Sequence, residues 1–450
     1  MKYSFVTFGC RVNQADSLTV EEQLREQGGS AAPLESADLV VVNTCSVTAS
    51  ADQGARQTIR RIARLNPHAR IVVTGCFATR EPAQVEGLAD HVRVVRNEEK
   101  LQFVPLLRAA RDVRAVADAD ASDASLDTAR RFGDGEGSCG AAIEPGVAGR
   151  TAFTLRVQTG CAEPCSYCII PETRGAPRST PLEEVLADVR RVVSAGYREV
   201  VLTGVHLGSY GRDLDGASSL VQLLRRIEAA VASAEPRVLI RVSSLEPMDC
   251  SDEVVALVAE SDWFAPHFHL PLQHASERML RAMQRPYSLE YYDELVTNIR
   301  RRMPHASIGT DVIVGFPGES DADFDQLAQY LEHSPLTHIH VFPYSDRPGT
   351  PASRMGNRAP GLVVKARAAR VRDIGAALNR RFIDAQHGTE HTALTLDDGT
   401  LVVTGNYLKV RIPPGHARNE WVTVKMTETS PSLKGVVVRE KHSSSTCADC

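Results

Sequence analysis

Gly160-Cys161-Ala162-Glu163-Pro164-Cys165-Ser166-Tyr167-Cys168 sets three cysteines at C-x3-C-x2-C spacing. The stretch follows an alternating run in which Phe153, Leu155 and Val157 are apolar and Thr154, Arg156 and Gln158 polar, the pattern of a strand. Three closely spaced thiolates suit a cubane iron–sulfur cluster, because each can bind one iron. The loop holds no fourth thiolate, so one iron stays open to a chelating ligand. The amino and carboxylate groups of S-adenosylmethionine suit that open corner, and one electron from the cluster then cleaves the sulfonium to a 5′-deoxyadenosyl radical. A zinc site or unrelated buried cysteines are the competing readings. Structural zinc prefers four ligands, usually in two separated pairs, which a single triple fits poorly.

On this loop the sequence resembles the radical S-adenosylmethionine enzymes. The surrounding residues predict the matching architecture. Strand candidates Glu199–Leu202, Arg237–Val242, Pro266–Leu270, Ser307–Val314 and His338–Phe342 alternate with helical segments such as Ser219–Ala232, Leu289–Arg302 and Asp321–His333. Counting the strand before the cysteines, these alternations predict a partial (β/α)6 barrel over residues 150–380, with its site at the carboxyl ends of the strands. The first helix has a start signal: Thr180 as N-cap, Pro181 at the first position and Glu183 closing a capping box. Gly204 and His206 follow the second strand, where exposed backbone suits the methionine amino group. Ser243 and Glu246 follow the third and suit a ribose. Gly315 follows the fifth, where backbone can approach an adenine. Each of these turns taken singly reads equally well as an ordinary turn. His206, His269 and His274 are candidate proton carriers or simply satisfied loop histidines.

Residues 1–110 alternate short β-rich runs (Tyr3–Phe8, Asp38–Val42, Arg70–Thr74, Val92–Val95) with helical stretches Gln14–Glu26 and Ala49–Leu65. That is the signature of a doubly wound parallel sheet. Cys10, Cys45 and Cys76 fall just past the first three strands, and in an open parallel sheet all carboxyl ends share one edge. Three thiolates about 30 residues apart in sequence are thereby expected to meet at a second cluster. A single cysteine there would read as a small core hydrophobe.

The chain has 450 residues, enough for about three domains. Its net charge of −5 does not advertise nucleic-acid binding, so RNA contact must come from local basic surface. The amino terminus lacks a signal-peptide pattern and no apolar run spans a bilayer, which predicts a cytoplasmic protein with reduced cysteines and no membrane contact. Residues 111–149 read as an Ala-, Asp- and Gly-rich linker in which Cys139 is a bystander. Arg354–Arg381 reads as a basic helix, either solvated or tracking phosphates. Residues 381–441 predict about five short strands, hence a small β-barrel that serves either as a nucleic-acid grip or as a cap. The tail 442–450, with Cys447 and Cys450, reads as disordered.

The whole layout resembles the methylthiotransferase family of radical S-adenosylmethionine enzymes: an amino-terminal cluster domain, a radical barrel and a carboxy-terminal TRAM domain. The resemblance implies that Cys161, Cys165 and Cys168 hold the radical-generating 4Fe–4S cluster. It implies that Cys10, Cys45 and Cys76 hold an auxiliary 4Fe–4S cluster carrying the sulfur to be inserted. Gly9-Cys10-Arg11-Val12-Asn13-Gln14 and Gly204-Val205-His206-Leu207-Gly208-Ser209-Tyr210-Gly211 resemble the branch that acts on N6-threonylcarbamoyladenosine at tRNA position 37. Sister branches act on isopentenyladenosine or on a ribosomal protein aspartate. The implied partners are a tRNA anticodon stem-loop, an electron donor and a sulfur donor. Glu172-Thr173 and Pro164 depart from the family pattern. A non-catalytic, cluster-bearing RNA-binding protein is the alternative from another class.

Overall fold

The computed structural model describes residues 1–103, 151–216, 218–429 and 433–440. The linker 111–149 with Cys139 and the tail 442–450 with Cys447 and Cys450 lie outside the described residues. The described chain divides into two compact units.

The first unit comprises residues 1–103 with Gly160–Ala162 and Cys168–Ala176. Its strands are β1 (Lys2–Thr7), β2 (Ser30–Ala31), β3 (Leu39–Thr44), β4 (Arg70–Gly75) and β5 (Val92–Val94), all parallel in the order β2-β1-β3-β4-β5. The run Leu39-Val40-Val41-Val42 is buried throughout, as a parallel strand covered on both faces must be. Successive side chains point to opposite faces, and the core divides accordingly. Val40, Val42, Ile71 and Val73 pack with Ile59 and Ile62 of the helix Ala49–Leu65. Leu39, Val41 and Val72 pack with Val20 and Leu24 of the helix Arg11–Glu26. The helix Ala49–Leu65 opens where Thr48 accepts from the Ala51 amide, satisfying one orphan N–H.

The second unit holds the remaining described residues. Strands β6 (Ala152–Arg156), β9 (Glu199–Thr203) and β10 (Leu239–Val242) form one parallel sheet. Strands β11 (His267–His269), β12 (Ser307–Val314) and β13 (His338–Pro343) form another. The two meet through a parallel bridge between Ile240 and Phe264, so the six strands run in chain order as an open arc. Helices Leu182–Ser194, Leu220–Val231, Asp252–Glu260, Leu289–Arg302 and Asp321–His333 return the chain between strands. A short antiparallel pair, β7 (Gln158–Thr159) with β8 (Arg178–Ser179), lies beyond the end of β6.

Two sequence expectations are corrected. The first barrel helix begins at Leu182, with Pro181 rather than Thr180 at the cap. Pro181 is extended (ψ 141), and the Thr180 amide donates to the Val157 carbonyl at 2.9 Å instead of starting a helix. The basic helix runs Gly361–Asp384 rather than from Arg354, which closes a separate single turn, Pro351–Arg354. Three of its basic side chains, Arg367, Arg370 and Arg381, meet neighbouring elements. Arg367 pairs with Asp321 at 2.6 Å and Glu319 at 3.4 Å, Arg370 pairs with Asp325 and Glu332, and Arg381 donates to the Ser334 carbonyl.

The last strands, β14 (Glu390–Leu396), β15 (Leu401–Thr404), β16 (Lys409–Arg411), β17 (Trp421–Glu428) and β18 (Lys434–Glu440), close into a barrel in the order β14-β15-β16-β18-β17. Ala393, Val402, Val410, Val422, Val424 and Met426 fill it. It docks on the six-stranded arc through Trp421 Nε1, which donates to the Arg237 carbonyl at 2.7 Å, and Asn406 Nδ2, which donates to the His305 carbonyl at 2.9 Å. The buried Arg241 guanidinium pairs with Glu199 at 2.6 Å, donates to the Gly405 carbonyl and lies 4.6 Å over the Tyr407 ring.

Candidate iron–sulfur and cofactor sites

Parallel topology puts the ends of β1, β3 and β4 on one edge, and the loops there are tied tightly. Asn13 Nδ2 donates to the Phe8 carbonyl at 2.8 Å and the Thr44 carbonyl at 3.0 Å, linking the first two loops. Gly75 has φ +96, and a Cβ there would lie 2.1 Å from the Thr44 carbonyl oxygen, so only glycine permits this backbone approach. At Gly9 (φ +90) a Cβ would lie 2.7 Å from Cys45 Sγ. Cys10 is exposed while Cys45 and Cys76 are buried.

The three thiols come within electrostatic reach of one another. Burial pushes the Cys45 thiol up to about 12, and the thiolates of Cys10 and Cys76 add to the rise. Beside them sits a group of buried charges that the sequence reading did not find. Arg174 donates to Asn13 Oδ1 at 2.5 Å and to Asp16 at 3.2 Å, and Lys100 Nζ contacts the same Asp16 oxygen at 2.7 Å. Burial disfavours the Arg174 charge, but Asp16, Cys76 and Cys10 outweigh it and raise its pKa. Burial likewise lowers the Lys100 pKa against the pull of Asp16. Asn97 Nδ2 lies 3.8 Å from Cys76 Sγ and donates to the Thr173 carbonyl at 2.8 Å. Three gathered cysteines, of which buried Cys45 resists deprotonation until a cation arrives, flanked by buried Arg and Lys, suit thiolate-ligated iron.

The second triad lies in the loop after β6. Gly160 has φ +77, and a Cβ there would lie 2.0 Å from the Ala176 carbonyl oxygen. The Cys161 amide donates to the Gly175 carbonyl at 3.1 Å. Cys165 Sγ accepts from Arg285 at 2.9 Å. Arg285 is buried, ion-paired with Glu246, and donates from Nε to Tyr287 Oη at 3.1 Å. Ser166 anchors the loop through bonds to the Met283 and Ala282 carbonyls, and its own carbonyl accepts from the Ala352 amide. All three cysteines of the loop are partly exposed. A donor aimed at a sulfur and cysteines open to solvent on one side suit a cluster that must meet a cofactor.

The other expected residues are distributed along the carboxyl edge of the strands. Gly204 follows β9, and a Cβ there would lie 3.0 Å from Gln158 Oε1, which accepts from the His206 amide at 2.9 Å. His206 Nε2 lies 2.7 Å from Asp249, and its Nδ1 lies 3.7 Å from Glu163 within the cysteine loop. Asp249 in turn pairs with Arg212 at 2.7 Å. Ser243 follows β10, with its hydroxyl 3.4 Å from Thr203 Oγ1. Glu246 is brought to Arg285. Gly315 (φ +74) follows β12, and its amide donates to Glu319. It lines a cavity of about 510 Å³ with Tyr344, Arg358, Lys365 and Arg372. His269 contacts Asp311 at 3.0 Å, and the buried His274 accepts from the Ser276 amide at 2.9 Å.

Among the described residues no helix is long and apolar enough to cross a membrane. Residues 2–96 match the family described as "Uncharacterized protein family UPF0004", and residues 155–331 match the radical SAM superfamily. The chain is 35% identical to the threonylcarbamoyladenosine tRNA methylthiotransferase MtaB of Aquifex aeolicus, over 91% of this chain and 96% of that one. It is 33% identical to the tRNA-2-methylthio-N(6)-dimethylallyladenosine synthase of Thermobifida fusca, over 83% of this chain and 73% of that one. The radical S-adenosylmethionine methyltransferase TsrM of Kitasatospora setae superposes with a TM-score of 0.55 at 18% identity, covering 78% and 77% of the two chains, a likeness of fold alone. With two matched domains in this order and a relative alike along nearly its whole length, the chain belongs to the radical S-adenosylmethionine tRNA methylthiotransferase family.

Proposed function

We propose that this chain adds a methylthio group to C2 of N6-threonylcarbamoyladenosine at position 37 of tRNA, in the anticodon loop. The observation that carries the reading is the presence of two cysteine triads, each at the carboxyl ends of parallel strands. A relative named for this reaction is 35% identical over 91% of this chain, against 33% over 83% for a dimethylallyladenosine synthase.

Cys161, Cys165 and Cys168 would hold the radical-generating cluster, and Cys10, Cys45 and Cys76 the auxiliary one. When bound, the clusters and S-adenosylmethionine supply homolytic cleavage of an aromatic C–H bond, for which no side chain offers an acid–base route. The chain's own residues do the positioning. Arg285 directs an N–H at Cys165 Sγ and is itself held by Glu246 and Tyr287. Hydrogen bonds to a cluster sulfur stabilise its reduced state and so tune its potential. Arg174 and Lys100 supply buried positive charge beside Cys10 and Cys76. The backbone at Gly204 and His206 would take the methionine amino group, Ser243 and Glu246 the ribose, and the backbone at Gly315 the adenine. The small carboxy-terminal barrel would grip the anticodon stem-loop through phosphates, with separate electron and sulfur donors in the cytoplasm.

The test is nucleoside mass spectrometry of tRNA from cells with and without this chain. Loss of 2-methylthio-N6-threonylcarbamoyladenosine is expected. Loss of a 2-methylthio isopentenyladenosine instead would move the chain to the sister branch, and an unchanged profile would refute the activity.

A further inference from the structure

His267-Phe268-His269 and His338-Ile339-His340 repeat one pattern on β11 and β13, the two neighbours of β12. Side chains alternate along a strand, so the four histidines share one face of the sheet. The register adds Gly309 and Asp311 to that face: His269 pairs with Gly309, Gly309 with His338, and Asp311 with His340. Ile339, pointing the other way, meets Gly375 of the helix Gly361–Asp384. The histidine face therefore turns away from that helix, towards the concave side of the arc. Gly309 is what makes room for the cluster. A Cβ there would lie 2.0 Å from His338 Nε2, so any other residue would displace the imidazole.

Within this cluster two imidazoles converge on one carboxylate oxygen. His269 Nε2 lies 3.0 Å and His340 Nδ1 3.3 Å from Asp311 Oδ1, and the three donor atoms all lie within 4.8 Å of one another. Donors held about 2.1 Å from a shared ion at tetrahedral or octahedral angles are separated by roughly 3.0–3.4 Å. The two contacts to Asp311 have that spacing. Burial falls across the set: side-chain exposure is 10% at His269, 26% at Asp311 and 59% at His340. The donors are thus fixed on one side and open to solvent on the other.

We propose that His269, Asp311 and His340 bind one divalent first-row transition cation, of the zinc or ferrous class, within the barrel. Two imidazoles and a carboxylate select such ions over calcium and magnesium, which favour all-oxygen shells. Three protein donors leave further positions for water or an oxygen-bearing ligand. The site is separate in its residues from both cysteine triads and uses no group assigned to them.

The experiment uses the full-length, cluster-loaded chain with zinc(II) as the probe. After equilibration and desalting, about one zinc per chain is expected. Zinc K-edge absorption is expected to show a nitrogen and oxygen shell at about 2.0–2.1 Å without the sulfur shell near 2.3 Å that cysteine would give. His340→Ala and Asp311→Asn should each weaken zinc binding by about tenfold or more while iron content stays unchanged. His340 is exposed enough for its variant to fold, and iron content and circular dichroism check both variants. No retained zinc, a sulfur-containing shell, or wild-type zinc binding in both variants overturns the site and leaves an ordinary hydrogen-bonded cluster.

Discussion

The buried charges beside Cys10 and Cys76 allow a sharp comparison between Arg174→Met and Asp16→Asn. Asp16 is shared by two cations, Lys100 at 2.7 Å and Arg174 at 3.2 Å, and the three side chains are each at most 7% exposed. At an effective dielectric of about 20, a 3.2 Å pair is worth about 5 kcal/mol of attraction, set against several kcal/mol for desolvating a guanidinium. Removing Arg174 relieves that desolvation and leaves Asp16 still paired with Lys100, so its net cost to the fold should be about 1–2 kcal/mol. Asp16→Asn keeps both cations buried and deletes the carboxylate they share, which places it in the range of about 3–5 kcal/mol for breaking a buried pair. The assay is amide hydrogen exchange in the Leu39–Thr44 strand of the full iron-loaded chain. At about 1.4 kcal/mol per decade, Asp16→Asn should exchange at least about fivefold faster than Arg174→Met. Equal rates, or faster exchange in Arg174→Met, would show that Asp16 is not the centre of this network.

Gly160→Ala should lose about half of the bound iron, because its Cβ would lie 2.0 Å from the Ala176 carbonyl at φ +77; iron and sulfide analysis reads this, and full iron content would refute it. Arg285→Met removes the donor 2.9 Å from Cys165 Sγ, so the potential of the radical cluster should move negative and 5′-deoxyadenosine yield should fall in a redox titration with S-adenosylmethionine. His391 is held neutral in the small barrel, its pKa lowered from 6.5 to about 4 by burial and then by His305. A depressed histidine stabilises the fold above its unfolded pKa, so that contribution should be lost as pH falls from about 6.5 to 4, to a ceiling of about 3 kcal/mol. His391→Gln should flatten this pH dependence in thermal melts followed by Trp421 fluorescence.

Local signals made much of the chain legible before folding was considered. The C-x3-C-x2-C loop is contiguous, so its spacing alone states which metal chemistry it suits. Alternation of Leu39–Val42-type strands with amphipathic helices such as Ala49–Leu65 stated the α/β class, and the short strand runs after residue 388 stated a small barrel. Strand ends also pointed to Cys10, Cys45 and Cys76 as neighbours, since parallel topology converts equal positions in sequence into one edge in space. Helix boundaries were less legible, as Pro181 and Arg354 show, because capping depends on backbone geometry rather than on residue type alone.

What sequence alone could not state are the partnerships formed across long separations. Arg285 precedes a proline in an unremarkable segment, yet lies against Cys165, 120 residues away. Arg174 reaches Asp16 across 158 residues, and His340 reaches Asp311 across 29. The basic helix read as either solvated or tracking phosphates, and only the fold showed Arg367 and Arg370 meeting Glu319, Asp321 and Asp325. Sequence determined the elements and the cysteine chemistry, because periodicity and short spacing act locally along the chain. Tertiary structure alone decided which charges meet which thiols and which histidines converge, because buried charge and donor geometry exist only once distant elements pack.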